Sequence, residues 1–188
     1  MKKFFEFISE ILKTVIIALL IVLPIRYFLF QPFIVQGHSM EPNFFPKDYL
    51  IVDEISYRFR EPKRGEVIVF SFPQNPSQKH VKRIIGLPGE TIKIGNGKVI
   101  ISKDSKTFVL DETEYLSQTL TTRARGFETI TLKEDEYFVL GDNRENSYDS
   151  RYWGPLPRKY IIGRVIFRAW PLTSFGIIES PQYLYLNL

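Results

Sequence analysis

The chain has 188 residues, 44% hydrophobic and 15% aromatic, with 25 basic against 21 acidic side chains. Half of the net +4 sits in residues 1–31, where Lys2, Lys3, Lys13 and Arg26 outnumber Glu6 and Glu10; the remainder is nearly balanced and has no basic stripe for nucleic acid. The lack of cysteine removes thiol nucleophiles, disulfides and thiolate metal sites, and two histidines without an HExxH pair argue against a catalytic zinc, so neither metal nor cofactor is expected.

From Ile8 to Phe30 the sequence is apolar except at Ser9, Glu10, Lys13, Thr14 and Arg26. A helix over that span is about 35 Å long, enough to cross a hydrocarbon core of about 30 Å with some tilt. Its uncharged run, Thr14–Ile25, has only 12 residues, short of the ~18 usually demanded. Lys13 and Arg26 bracket that run, placed to reach toward opposite interfaces, and Pro24 lies near one end, where a kink is tolerated. A cleaved secretory signal would end in small residues, whereas this run leads into Pro24-Ile25-Arg26-Tyr27. A buried core helix is the other reading. Lys2, Lys3 and Lys13 predict a cytoplasmic N-terminus with the rest of the chain outside, and Tyr27, Phe28, Phe30 and Phe33 an interfacial aromatic belt. Residues 1–31 are thus expected to be a cytoplasmic start and transmembrane anchor, and 32–188 one extracytoplasmic domain.

Beyond the anchor the hydrophobic period becomes two. Val67-Ile68-Val69-Phe70 is a continuous apolar run, Thr91-Ile92-Lys93-Ile94 alternates, and Gly95-Asn96-Gly97 is a turn signal leading to Lys98-Val99-Ile100-Ile101, a hairpin pattern. Glu136–Leu140 and Ile161–Phe167 also read as strands, and no long helical period follows residue 31. A mainly β fold with barrel-like closure is predicted. The polar residues 95–134 carry no catalytic-looking cluster and read as an inserted small β subdomain.

Three places carry chemistry. Ser39, in Gly37-His38-Ser39-Met40-Glu41-Pro42, lies eight residues beyond Gln31, so its hydroxyl is within about 28 Å of the interface. By itself a serine after glycine is usually a turn residue. Lys82 sits in Val81-Lys82-Arg83-Ile84-Ile85-Gly86-Leu87-Pro88-Gly89. On a strand His80, Lys82 and Ile84 share one face, and Val81, Arg83 and Ile85 the other. An amine set into apolar surface loses hydration of its charged form, and a fall from ~10.4 to ~8 needs about 3 kcal/mol. The neutral amine can then take a proton from Ser39. His80 shares that face, so strand periodicity leaves the choice of base open. The third place, Gly141-Asp142-Asn143-Arg144-Glu145-Asn146-Ser147-Tyr148-Asp149-Ser150-Arg151, is a polar loop after a strand, dense enough in carboxylate, amide and guanidinium to buttress a site.

Four ordered segments resemble type I signal peptidases, the membrane-bound Ser-Lys endopeptidases that remove signal peptides. They are Ser39-Met40-Glu41-Pro42, Arg64-Gly65-Glu66-Val67-Ile68-Val69-Phe70, Val81 through Gly89, and Gly141-Asp142-Asn143-Arg144 through Asp149-Ser150-Arg151. The resemblance implies a β-rich catalytic core with the inserted subdomain, Ser39 as nucleophile and Lys82 as general base. It implies that Ser147 hydrogen-bonds and orients the lysine, that Asp142, Asp149 and Arg151 support the site, and that Arg83 pairs with one of these acids. It places Phe33, Val35, Met40, Phe44 and Val81 along a substrate wall that admits small side chains, with signal peptides of preproteins and the lipid bilayer as partners and no nucleic acid. Gly37 stands where some members carry an oxyanion-donating serine and others glycine, so the hole rests on backbone N–H groups, chiefly that of Ser39, and Gly37→Ser is expected to be tolerated. Asn43 replaces the usual threonine, and Glu66, Glu90 and Glu145 replace aspartates. Two other readings are a self-cleaving regulator with the same Ser-Lys chemistry, which would need a DNA-binding module, and a membrane-tethered β module without catalysis.

Overall fold

The structure, a computed structural model, describes residues 2–28, 30–104, 106–117, 120–181, 183 and 185–187. Helix α1 spans Lys2–Phe28, and its apolar side chains Phe7, Ile8, Ile11, Leu12, Val15, Ile16, Ile17, Leu19 and Leu20 are all exposed. Among the described residues no helix is long and apolar enough to cross a membrane. The side chains of Tyr27, Phe28 and Phe30, expected in an aromatic belt, lie outside the described residues.

The strands are β1 (Phe30–Ile34), β2 (Tyr49–Asp53), β3 (Val67–Phe72), β4 (Asn75–Gly86), β5 (Thr91–Gly95), β6 (Lys98–Lys103), β7 (Lys106–Leu110), β8 (Thr129–Thr131), β9 (Glu136–Leu140), β10 (Leu156–Pro157), β11 (Ile161–Trp170), β12 (Gly176–Ile177) and β13 (Tyr185–Asn187). A one-turn helix, α2 (Ser150–Trp153), follows β9. The fold is mainly β, as the period-two pattern predicts, in two antiparallel sheets. The larger runs β1-β2-β11-β3-β4-β9-β10 with β12 on β11; the smaller runs β13-β7-β6-β5-β8. The predicted hairpin is β5–β6, paired Ile94↔Val99 and Gly95↔Lys98. Asn96 and Gly97 turn it with φ of 50° and 75°, the left-handed pair that a two-residue hairpin of matching twist requires.

Strand β4 organises the core because its alternating side chains serve three clusters. Val81 joins Val35, Met40, Phe44, Leu50, Val52, Val67, Val69 and Val165. Ile85 packs with Phe138, Leu140 and the inner face of the small sheet. Ile84, on the opposite face, packs with Ile68, Phe70, Tyr137, Val139 and Leu156. The strand is also only half paired on one side: β3 accompanies it from Asn75 to Arg83, but β9 meets it only at Arg83, Ile84 and Gly86. Among the described residues, therefore, Gln78–Lys82 has a free edge. Strand β1, which among the described residues pairs only with β2, has another. Four antiparallel steps separate β1 from β4, so the two run in the same direction.

Candidate active site

A cleft of about 980 Å³ opens where those two edges approach. One wall is Pro32, Phe33, Ile34 and Gln36; the other is Ser77 to Lys82; Ser39, Asn146 and Tyr148 close it. Ser39 arrives on the turn after β1, where Gly37 has φ of +79°. Its hydroxyl accepts a 2.7 Å hydrogen bond from Lys82 Nζ, which also donates to the Val81 carbonyl at 2.9 Å. Lys82 is only 4% exposed and sits opposite the buried Ile68 of β3. Burial pulls its pKa down to about 8, while the nearby Asp149 and Asp142 carboxylates pull the other way.

The two histidines have other partners. His80 stacks on Phe72 with ring centroids 4.8 Å apart, and burial, then the charge of Lys82, lowers its pKa. His38 Nδ1 lies 2.7 Å from Glu41 Oε1. The geometry thus pairs the serine with the amine, an option that strand periodicity had left level with His80.

The loop after β9 clamps this pair. Asn143 donates its N–H to the Ser39 carbonyl and its side-chain amide to the His38 carbonyl, each at 3.0 Å. Asp142 accepts from Arg83 Nε and Nη2 at 2.9 and 2.7 Å and from Asn43 Nδ2 at 2.9 Å. Asp149 accepts twice from Arg151 at 2.8 Å and from the Gly141 N–H at 3.1 Å. A Cβ on Gly141 would collide with Ser147 Oγ and the Ser39 carbonyl, so only glycine lets this loop press against the turn that carries Ser39. Ser147 is brought to the site, but its hydroxyl is buried without a hydrogen-bond partner among the described residues; the expected bond to Lys82 is not formed here.

Of the expected substrate-wall residues, Phe33 and Val81 line the cleft. Val35, Met40 and Phe44 are buried in the cluster beneath it. Sequence reasoning missed the reach of the 95–134 segment. Glu112 takes a two-pronged ion pair from the buried Arg144 at 2.9 and 2.5 Å, Thr122 accepts from the same guanidinium, and the Arg83 guanidinium carbon lies 4.1 Å from the centre of the Tyr115 ring. Asn43, singled out only as a departure, ties Asp142 to the Tyr115 carbonyl at 2.8 Å. No local pattern signals these pairs, which join residues 22 to 99 positions apart. Among the described residues no cluster of His, Asp and Glu could hold a metal ion.

A serine hydroxyl held against a buried, deprotonatable amine, beside an open cleft, is the layout of a nucleophilic hydrolase. The family model described as signal peptidase, peptidase S26, matches residues 8–170. A probable signal peptidase I-2 of Synechocystis is 37% identical over 176 residues, covering 91% of this chain and 77% of that protein. A signal peptidase I of Leptolyngbya laminosa is 39% identical over 183 residues, covering 93% and 85%. One of Bacillus amyloliquefaciens is 35% identical over 165 residues, covering 86% and 88%. The chain belongs to the signal peptidase family, peptidase S26, and is a serine peptidase.

Proposed function

We propose that the protein is a membrane-anchored endopeptidase that removes N-terminal signal peptides from exported preproteins, with Ser39 as nucleophile and Lys82 as general base. The observation that carries this reading is the 2.7 Å contact between Lys82 Nζ and Ser39 Oγ, made by an amine whose pKa burial has brought to about 8. Neutral Lys82 takes the Ser39 proton as the oxygen attacks the scissile carbonyl. The resulting ammonium returns that proton to the leaving amine, and water hydrolyses the acyl-enzyme. The Ser39 N–H is the proposed oxyanion donor, held in place by the Asn143 bond to the same residue's carbonyl.

The substrate enters as an extended strand between β1 and the outer half of β4, satisfying both free edges at once. Its first and third residues before the cut then point the same way, toward Phe33 and Val81, above the buried Val35, Met40 and Phe44. Asp142 with Arg83 and Asp149 with Arg151 support the dyad, and Ser147 is placed to take up the lysine ammonium once the Ser39 oxygen is acylated.

Residues 1–31 act as a single-pass anchor with the N-terminus cytoplasmic, and 32–188 form the extracytoplasmic catalytic part, with about 95–134 inserted. The support is that α1, about 40 Å long at its 27 residues, leaves apolar side chains exposed where a bilayer would cover them. Lys2 and Lys3 precede its apolar run.

Incubation of Ser39→Ala and Lys82→Ala variants with a preprotein tests the dyad. Each is expected to abolish cleavage, and the double variant to lose no more, because the two groups act as a unit. Retained cleavage in either single variant would remove that residue from the mechanism.

A further inference from the structure

Beside the dyad lies an aromatic run that the mechanism does not use. Tyr148 meets Phe72 edge-on at 6.0 Å, Phe72 stacks on His80 at 4.8 Å, and Tyr152 backs Tyr148 at 5.3 Å. Tyr148 and His80 line the cleft together with Ser39 and Lys82. Tyr148 is 50% exposed, yet it is held in place between Ser147 and Asp149, 4% and 0% exposed. A large aromatic surface is thus fixed at the reaction centre with half of its area uncovered.

We propose that Tyr148 and His80, backed by the buried Phe72, form a subsite for the side chain of the second substrate residue before the cut, and that it favours an aromatic residue there. This rests on the peptidase reading and concerns only its specificity. The strand pleat decides which substrate residue meets the shelf. Val81 points into the cluster shared with Val35 and Met40, whereas His80 and Lys82 point to the other face. A substrate strand added at the free edge of β4 follows the same alternation. Its first and third residues before the cut face the Val81 side, so the second faces His80 and Tyr148. The first residue after the cut shares that face but lies beyond Lys82, past the stretch where both strand edges line the cleft. Burial keeps His80 below its usual pKa, so near neutral pH the ring stacks as an uncharged imidazole.

The test uses the full chain in detergent and a fluorogenic peptide series of Ala-x-Ala type with Ala, Leu, Phe or Trp at the middle position. A second series varies the first residue after the cut. Wild type is expected to show kcat/KM about three- to tenfold higher for Phe than for Ala at the middle position, the scale of one aromatic contact. Tyr148→Ala and Tyr148→Leu should bring that ratio to about one, while Tyr148→Phe keeps it; the Leu variant preserves packing if Ala perturbs the loop. A flat middle-position series in wild type, an unchanged ratio in both non-aromatic variants, or discrimination confined to the residue after the cut would each overturn the shelf while leaving the peptidase intact. Failure of wild type to cleave any peptide or a preprotein would overturn the peptidase reading, and the shelf with it.

Discussion

The depressed Lys82 pKa makes a quantitative prediction about pH. With a pKa of about 8, roughly one molecule in ten carries the neutral amine at pH 7, about 300-fold more than an ordinary lysine would. Because kcat/KM reports the free enzyme's essential base, it should rise with unit slope up to about pH 8 and then level off, gaining about tenfold between pH 7 and 9. An unperturbed lysine would give about 100-fold over that interval and no plateau. The assay is cleavage of a fluorogenic peptide at limiting substrate. A plateau near pH 6 would point to a histidine base, and a rise continuing past pH 10 would refute the burial argument. Stability follows the same shift with a definite sign. The folded chain gives up the Lys82 proton before the unfolded chain does, so stability should increase as pH rises from about 8 to 10.5, and the cost of burying the ammonium is present in full below pH 8. That cost is about 3 kcal/mol, so Lys82→Met should be inactive yet more resistant to denaturant at pH 7 than wild type. Lower resistance would show that the amine's hydrogen bonds outweigh its desolvation.

Three further outcomes are expected. Gly37→Ser should lower activity and stability: although a Cβ there meets nothing, φ of +79° disfavours a side chain by about 1–2 kcal/mol, and Gly37→Asn should lose less, as kcat/KM and urea melts would record. Glu112→Ala leaves the buried Arg144 guanidinium uncompensated and should cost about 3–5 kcal/mol in denaturant unfolding, with Glu112→Leu/Arg144→Met recovering part of the loss. Peptides of Ala-x-Ala type should be cleaved at least about tenfold faster than Leu-x-Leu, since one extra methylene group already costs about 1–3 kcal/mol in a filled pocket; equal rates would rule out the shallow wall at Phe33 and Val81.

Much of the core was legible because it is local. The apolar run at Val67–Phe70, the Gly95-Asn96-Gly97 turn and the Ile161–Phe167 strand are read from period and turn chemistry, which depend on neighbours a few residues away. The alternation that puts His80, Lys82 and Ile84 on one face of β4 follows from the same rule, and the lysine's apolar neighbours announce its desolvation. What lay beyond the sequence is whatever depends on how the sheets and loops pack together. The choice between His80 and Lys82 as neighbour of Ser39 is made across 43 residues, where one side chain turns to Phe72 and the other to the hydroxyl. The left-handed backbone of Gly37, which reverses the expectation for serine there, is set by the turn that carries β1 into Ser39. The pairing of Arg144 with Glu112 requires the segment after β7 to dock beside the loop after β9, and that of Asn43 with Asp142 requires the turn carrying Ser39 to meet the same loop. Periodicity specifies which face a residue occupies; only the register and packing of the sheets specify what stands opposite it.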